Sequence, residues 1–213
     1  MTRVLRHNLQ NETTVISGYA ELLKRVATDP KHTTQAGAIA AASDRLLSIA
    51  EKAREFESVQ DRPIHPEDRS VADLLEEIEA HCSNAHDGFE GNWRVTPREL
   101  RIRSDPELLS MLLTNLVENA IVHSVAPDTT VDVVAFVPSE ADGTVAFQVR
   151  DRNERIPEME IDALRAGNET SLDHGQGIGL WIVYWSLQRL SGEIEFRYDG
   201  GNVVTVTVPD LNR

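Results

Sequence analysis

Three short stretches of this sequence carry residue types and spacings that could do chemistry. In His174-Gly-Gln-Gly-Ile-Gly-Leu180, Gly175, Gly177 and Gly179 recur at every second position, directly before an apolar run. Glycine permits torsions and close backbone approaches closed to other residues. A helix opening near Leu180 would add unpaired N–H groups at its positive end, and the two features together make a cradle for polyphosphate. The stretch lacks the Lys-Ser/Thr ending of a P-loop and follows no clear strand, as a dinucleotide fingerprint would. In Leu112-Leu-Thr-Asn-Leu-Val-Glu-Asn-Ala-Ile-Val-His-Ser124, Asn115 and Asn119 lie four apart, on one helix face. They interrupt an apolar pattern, and a buried amide needs partners. Amide oxygens can join a Mg²⁺ shell beside phosphates and water; a structural hydrogen bond or a solvated face is the plainer alternative. Asp151, in Asp-Arg-Asn-Glu-Arg-Ile-Pro157, ends a strand. Its carboxylate could accept from an exocyclic amine such as adenine's, or simply shape a turn.

The elements that must position these residues fall into two groups. Residues 1–62 read as helix, turn, helix: Val4, Leu5, Leu9, Val15, Ile16, Tyr19, Leu22, Leu23 and Val26 recur at helical spacing, and Asp29-Pro30 breaks the pattern. The second helix shows a broad face of Ala36, Ile39, Ala40, Ser43, Leu46, Leu47, Ala50, Ala53 and Phe56. Such a hairpin buries little alone. It pairs either with a second copy, as a four-helix bundle, or with the C-terminal part of its own chain. Arg62-Pro63 and His65-Pro66 mark a stiff linker over residues 63–69. From residue 67 to 213 the pattern changes. Helices are expected at residues 71–80, 106–123, 158–166 and 180–190. Strands are expected at 93–95, 100–103, 130–137 and 144–150, with a hairpin of 192–198 and 202–208 around Asp199-Gly-Gly201. The fold class is α+β: a helical hairpin, then a mixed sheet with helices on one face.

Composition narrows the partners. The formal net charge of -14 disfavours nucleic acid, whose phosphates would be repelled. The lysines are only Lys24, Lys31 and Lys52, and many carboxylates with few lysines suggest adaptation to high salt. No apolar run approaches the roughly 18 residues of a membrane span, and the N-terminus lacks a signal-peptide core. A cytoplasmic chain without membrane contact of its own is expected, although a full-length protein could carry an input or membrane domain. Cys82 is alone, so no disulfide forms within the chain, and His81, Cys82 and His86 fit no zinc spacing.

Taken together, the three stretches resemble the catalytic domain of sensor histidine kinases, within the GHKL ATPase class. Residues 175–180 look like its second glycine box, 115–124 like its asparagine box and 151–157 like its first glycine box. Residues 1–62 resemble the family's dimerisation and phosphoacceptor hairpin, with His7-Asn-Leu-Gln-Asn11 as the acceptor box, followed by Val15-Ile-Ser-Gly-Tyr-Ala-Glu-Leu22. The run Gly179-Leu-Trp-Ile-Val183 looks most like haloarchaeal members. The resemblance covers nearly the whole chain. It implies an ATP-dependent protein histidine kinase with an α/β-sandwich ATPase domain over residues 67–213. It also implies a homodimer that uses ATP and Mg²⁺ and passes a phosphoryl group to an aspartate of a response-regulator receiver domain. His7 would be the nucleophile, beside Asn8, with Asn11 orienting the phosphoryl group or a water. Asn119 would hold Mg²⁺, with Asn115 in support and Glu118 organising water or metal. Asp151 would bind adenine. Gly175, Gly177 and Gly179 would wrap the phosphates with Leu180 at the helix start, and residues 158–174 would form a lid. Ile16 and Tyr19 would help dock the receiver if exposed.

The sequence also departs from the family. Asn8 stands where an acidic residue usually helps deprotonate the histidine, and asparagine cannot act as a base at neutral pH. Asn153 and Arg155 stand where Asp-x-Gly-x-Gly-Ile-Pro has glycines. Asparagine tolerates left-handed torsions, arginine poorly; Arg155 is expected to touch a phosphate or to block the nucleotide. Val122 replaces a common basic residue, and the lid lacks the usual phenylalanine motif. These losses define the second reading, a non-catalytic or weakly active dimeric pseudokinase or scaffold that binds nucleotide without phosphotransfer.

Overall fold

A computed structural model describes residues 3–27, 29–60, 63–87, 89–124, 130–139, 143–166 and 178–212. For residues 3–12, 44–45, 48–49, 51–60, 166 and 178 it describes the backbone only. The chain divides into two units, Met1–Arg62 and Pro63–Arg213.

In the first unit, α1 (Arg3–Val26) and α2 (Pro30–Gln60) form a helical hairpin. Asp29 sets the turn: its Oδ1 accepts from the Lys31 N–H at 2.8 Å and its carbonyl from the Thr33 N–H at 3.1 Å. Pro30, with φ already helical and no N–H to satisfy, fits the first helical position. Small side chains are buried here, namely Thr13, Ala20, Ala36, Ala40, Ser43 and Ala50. The large apolar side chains turn outward. Val15, Ile16, Tyr19, Leu22, Leu23 and Val26 are all exposed, Tyr19 to 65% and Val26 to 63%.

The second unit is built on a five-stranded sheet of order β2-β4-β5-β7-β6, with a two-stranded sheet of β1 and β3 beside it. The strands are β1 (Glu67–Ser70), β2 (Glu90–Thr96), β3 (Arg101–Ser104), β4 (Thr130–Phe136), β5 (Thr144–Arg150), β6 (Glu193–Tyr198) and β7 (Asn202–Pro209). The helices are α3 (Val71–Ala85), α4 (Pro106–Val122), α5 (Glu158–Ala166) and α6 (Ile178–Leu190). Among the described strands, β2 and β4 run parallel and the other neighbours antiparallel. Residues 67–69, read from the sequence as the end of a linker, instead begin a strand that pairs with β3.

Period-two alternation sends one face of each central strand inward: Val131, Val133 and Ala135; Val145, Phe147 and Val149; Val204, Val206 and Val208. Against that face pack α3, α4 and α6, with α4 between the other two. Its leucines 108, 109, 112, 113 and 116 and Val117 are all buried, as a helix enclosed on several sides requires. Asp105 starts α4. Its Oδ1 accepts from the Leu108 N–H at 3.1 Å and its Oδ2 from the His65 N–H at 2.9 Å, so one carboxylate caps the helix and anchors the preceding chain. Such a cap contributes about 1 kcal/mol.

Candidate functional site

A cavity of about 400 Å³ opens between α4, the loop after β5, α5 and the start of α6. That volume suits a small-molecule ligand. Asn119, Asp151, Arg155 and Leu180, all singled out from the sequence, line it. His123, Glu154, Ile156, Glu160, Asn202 and Val204 also line it and were not singled out.

Asp151 stands just beyond the last β5–β7 pair, Arg150 with Val203. Its Oδ1 accepts three hydrogen bonds: from the Asn153 N–H at 2.9 Å, the Asn202 N–H at 3.0 Å and Asn202 Nδ2 at 3.0 Å. Among the described residues nothing donates to Oδ2. Asn202 is the hub of this corner. Its Nδ2 also donates to the Glu154 carbonyl at 2.9 Å, and its Oδ1 accepts from the Ile156 N–H at 3.0 Å. Gly201 makes the close approach of β7 possible, because a Cβ there would run into the Asp151 carbonyl oxygen. The sequence placed Asn202 and Gly201 at a hairpin, where both types are ordinary turn residues. The signal that would have found them is the Gly-Asn pair at the entry of a strand facing the end of β5.

The torsions expected of the eroded loop do not arise. Among the described residues Ser191 is the only non-glycine with positive φ, so Asn153 and Arg155 sit in ordinary conformations. Asn153 is buried and its Nδ2 donates to the Ala120 carbonyl at 2.7 Å. Arg155 does not fill the cavity it borders. Its guanidinium lies over the Tyr198 ring, 5.8 Å from the centroid, and the cavity beside it stays open.

At the other end, α6 begins two residues earlier than the sequence suggested, so Gly179 lies in its first turn. Gly179 is needed for space and not for torsion: its φ is not left-handed. A Cβ there would meet Asn119 Oδ1, with Nδ2 at 2.9 Å and Cγ at 3.0 Å. The asparagine helix and the glycine-rich segment therefore touch at this point. Asn119 Nδ2 and Asn115 Oδ1 are buried without a hydrogen-bond partner among the described residues. Asn115 lies one turn behind Asn119, off the cavity wall, and its Nδ2 donates to the Met111 carbonyl at 2.9 Å. Unsatisfied buried amides beside a glycine fit a phosphate–Mg²⁺ end, where neutral oxygens complete a shell supplied mainly by phosphate and water. Rotating an asparagine amide by 180° exchanges its oxygen and nitrogen, so either can face a ligand.

Glu118, expected to organise water or metal, is not among the residues lining this cavity. Its Oε1 lies 3.8 Å from His81 Nε2 on α3, off the cavity wall. Burial, and secondarily the Glu118 carboxylate, push the Cys82 thiol up to about 12, so it stays protonated and unreactive. His7, Asn8 and Asn11 lie on the backbone of α1, and their side chains fall outside the described residues, as do Gly175 and Gly177 altogether.

Asn119, in contact with Gly179, and Asp151 thus line one cavity of the α/β layer. Residues 104–212 match the family described as histidine kinase-, DNA gyrase B-, and HSP90-like ATPase, and the chain belongs to it. Among known relatives, the autoinducer 2 sensor kinase/phosphatase LuxQ of Vibrio vulnificus is 23% identical over 221 residues, 96% of this chain and 26% of LuxQ. The probable sensor histidine kinase TcrY of Mycobacterium tuberculosis is 28% identical over 200 residues, 88% of this chain and 40% of TcrY. The chain thus spans about a quarter of the length of LuxQ. Two solved structures share the fold across both units. The full-length ShkA complex with AMPPNP has a TM-score of 0.65 at 21% identity, covering 97% of this chain and 44% of that one. Acinetobacter baumannii AdeS has a TM-score of 0.62 at 16% identity, covering 97% and 98%. The relatives with a stated source here are bacterial, so the haloarchaeal likeness rests on the sequence run and composition alone. No described helix is long and apolar enough to cross a membrane.

Proposed function

We propose that this chain is the phosphoacceptor and ATP-binding part of a protein histidine kinase, with His7 as acceptor. The observation that carries the reading is one cavity lined by both Asn119, which packs against Gly179, and Asp151. Asp151 Oδ2 would accept from the adenine amine while Oδ1 is held by Asn202 and Asn153. Asn119, backed by Asn115, would hold Mg²⁺; the ion supplies charge neutralisation to the phosphates. The three glycines and the N–H groups opening α6 would bind the phosphate oxygens.

In the reaction, an imidazole nitrogen of His7 attacks the γ-phosphorus of ATP. The N–P bond forms as the bond from γ-phosphorus to the bridging oxygen breaks; the electron pair leaves with ADP, and the imidazole proton passes to solvent. Asn8 takes no proton, so neutral imidazole is the attacking form. The phosphohistidine then donates to an aspartate of a receiver domain. The exposed apolar face of α1, from Val15 to Val26, supports a homodimer built from two hairpins. The acidic, lysine-poor composition supports work in a saline cytoplasm of haloarchaeal type.

Asn8 favours a second reading, a nucleotide-binding pseudokinase. Titration of the chain with ADP, with and without Mg²⁺, tests what both share. Binding that strengthens with Mg²⁺ in the native chain and loses that dependence in Asn119→Ala supports the site. Binding indifferent to Mg²⁺, or unchanged in Asn119→Ala, refutes it.

A further inference from the structure

We infer that Asn153 and Asn202 act as a pair of amide braces that preset Asp151 for base recognition, and that Asn153 is a positioning residue for adenine selectivity. The inference deepens the nucleotide reading and rests on it.

The geometry begins at the end of α4. The last carbonyls of a helix have no partner within it. Here the Asn119 carbonyl accepts from the His123 N–H at 3.2 Å and the Ile121 carbonyl from the Ser124 N–H at 3.0 Å. The Ala120 carbonyl between them is taken by Asn153 Nδ2 at 2.7 Å. The same residue's N–H donates to Asp151 Oδ1 at 2.9 Å. One buried residue therefore ties the base-reading carboxylate, through its backbone N–H, to the helix that carries Asn119, through its side chain. Asn202 holds the loop from the opposite side, through Asp151, Glu154 and Ile156.

A glycine at 153 would keep the backbone N–H but lose the tether and leave the Ala120 carbonyl buried without a partner. That costs more than an ordinary surface change. Asparagine at 153 is thus a substitute for flexibility, not damage to a glycine motif. The two views predict opposite signs. Restoring glycine should improve nucleotide binding if the motif is eroded, and weaken it if Asn153 is a brace.

The experiment titrates the full chain with ADP and with IDP, whose base carries an oxygen in place of the amine that Asp151 would accept from. The native chain and the variants Asn153→Gly and Asn153→Ser are compared, with melting curves to confirm folding. Serine stays polar but falls short of Ala120, and keeps the test decisive if the glycine variant unfolds. The native chain should prefer ADP. Both variants should bind ADP roughly tenfold more weakly while IDP binding changes little, so the ADP/IDP ratio collapses. Unchanged or tighter ADP binding, or equal losses for both nucleotides, would overturn the brace. Failure of the native chain to bind ADP would overturn the nucleotide reading itself, and a native chain that binds both nucleotides equally would remove Asp151 as base reader and the brace with it.

Discussion

Replacing Gly179 by alanine separates stability from ligand binding. The added methyl would collide with the Asn119 amide, lying 2.9 Å from Nδ2 and 3.0 Å from Cγ. The obstacle is a side chain and not backbone, so Asn119 can swing aside into a poorer rotamer at about 1 kcal/mol. Against that, alanine in a helix is favoured over glycine by about 1 kcal/mol. The two offset, and the melting temperature should stay within roughly 4 °C of the native value. Ligand binding has no such compensation. The displaced amide leaves the position proposed for Mg²⁺ and phosphate, and a hydrogen bond to a charged group is worth about 1.5–3 kcal/mol. Affinity for Mg²⁺–ADP should fall by roughly 10- to 100-fold, read by calorimetry beside a thermal melt. A variant that melts normally and binds Mg²⁺–ADP as the native chain does would refute the claim that Gly179 is there to admit Asn119.

Three further outcomes are expected. Leu22→Asp with Leu23→Asp should turn a dimer into monomers in sedimentation; two leucines in each of two copies, at about 1.5 kcal/mol each, give about 6 kcal/mol, and unchanged sedimentation would show that this face is not the interface. Cys82 is raised to about 12 from its ordinary 9.0, so above pH 9 the unfolded chain releases a proton that the folded chain keeps. Stability should therefore be unaffected by this group below pH 9 and fall as pH rises from 9 toward 12; urea melts at pH 8 and 10.5 should show a drop that is smaller in Cys82→Ala. With a net charge of -14, the melting temperature should rise between 0.1 M and 2 M KCl as carboxylate repulsion is screened; a flat or falling response would count against a saline working environment.

The legible parts of the fold were those with strong local signals. Glu158–Ala166 and Thr144–Arg150 appear with the boundaries their patterns suggest, and Asp105-Pro106 announced α4 through a cap and a fixed φ. The β1–β3 pair was hidden because Glu-Asp-Arg-Ser is short, polar and without alternation; it is held by long-range pairing and by Arg101 on Asp68, 3.0 Å apart. Glycines concealed the start of α6, since their helix propensity argues against a turn that tertiary contact with α4 nevertheless stabilises. In the site, Asn119 stood out because it and Asn115 interrupt an apolar pattern, and Asp151 because it ends a strand and matches the first glycine box that the family resemblance supplies. Asn202 did not, because its importance lies in five hydrogen bonds to residues about fifty positions away. Arg155 was readable as an oddity, but its resting place over Tyr198 is set by a strand that sequence spacing does not connect to it.

The central claim is transfer of a phosphoryl group to His7, and it is tested most directly by incubation with γ-labelled ATP and Mg²⁺ in high salt, comparing the native chain with His7→Ala. Acid-labile label on the native chain and none on the variant is the expected result. A folded native chain that binds ADP but takes up no label, or equal label on both proteins, would contradict it.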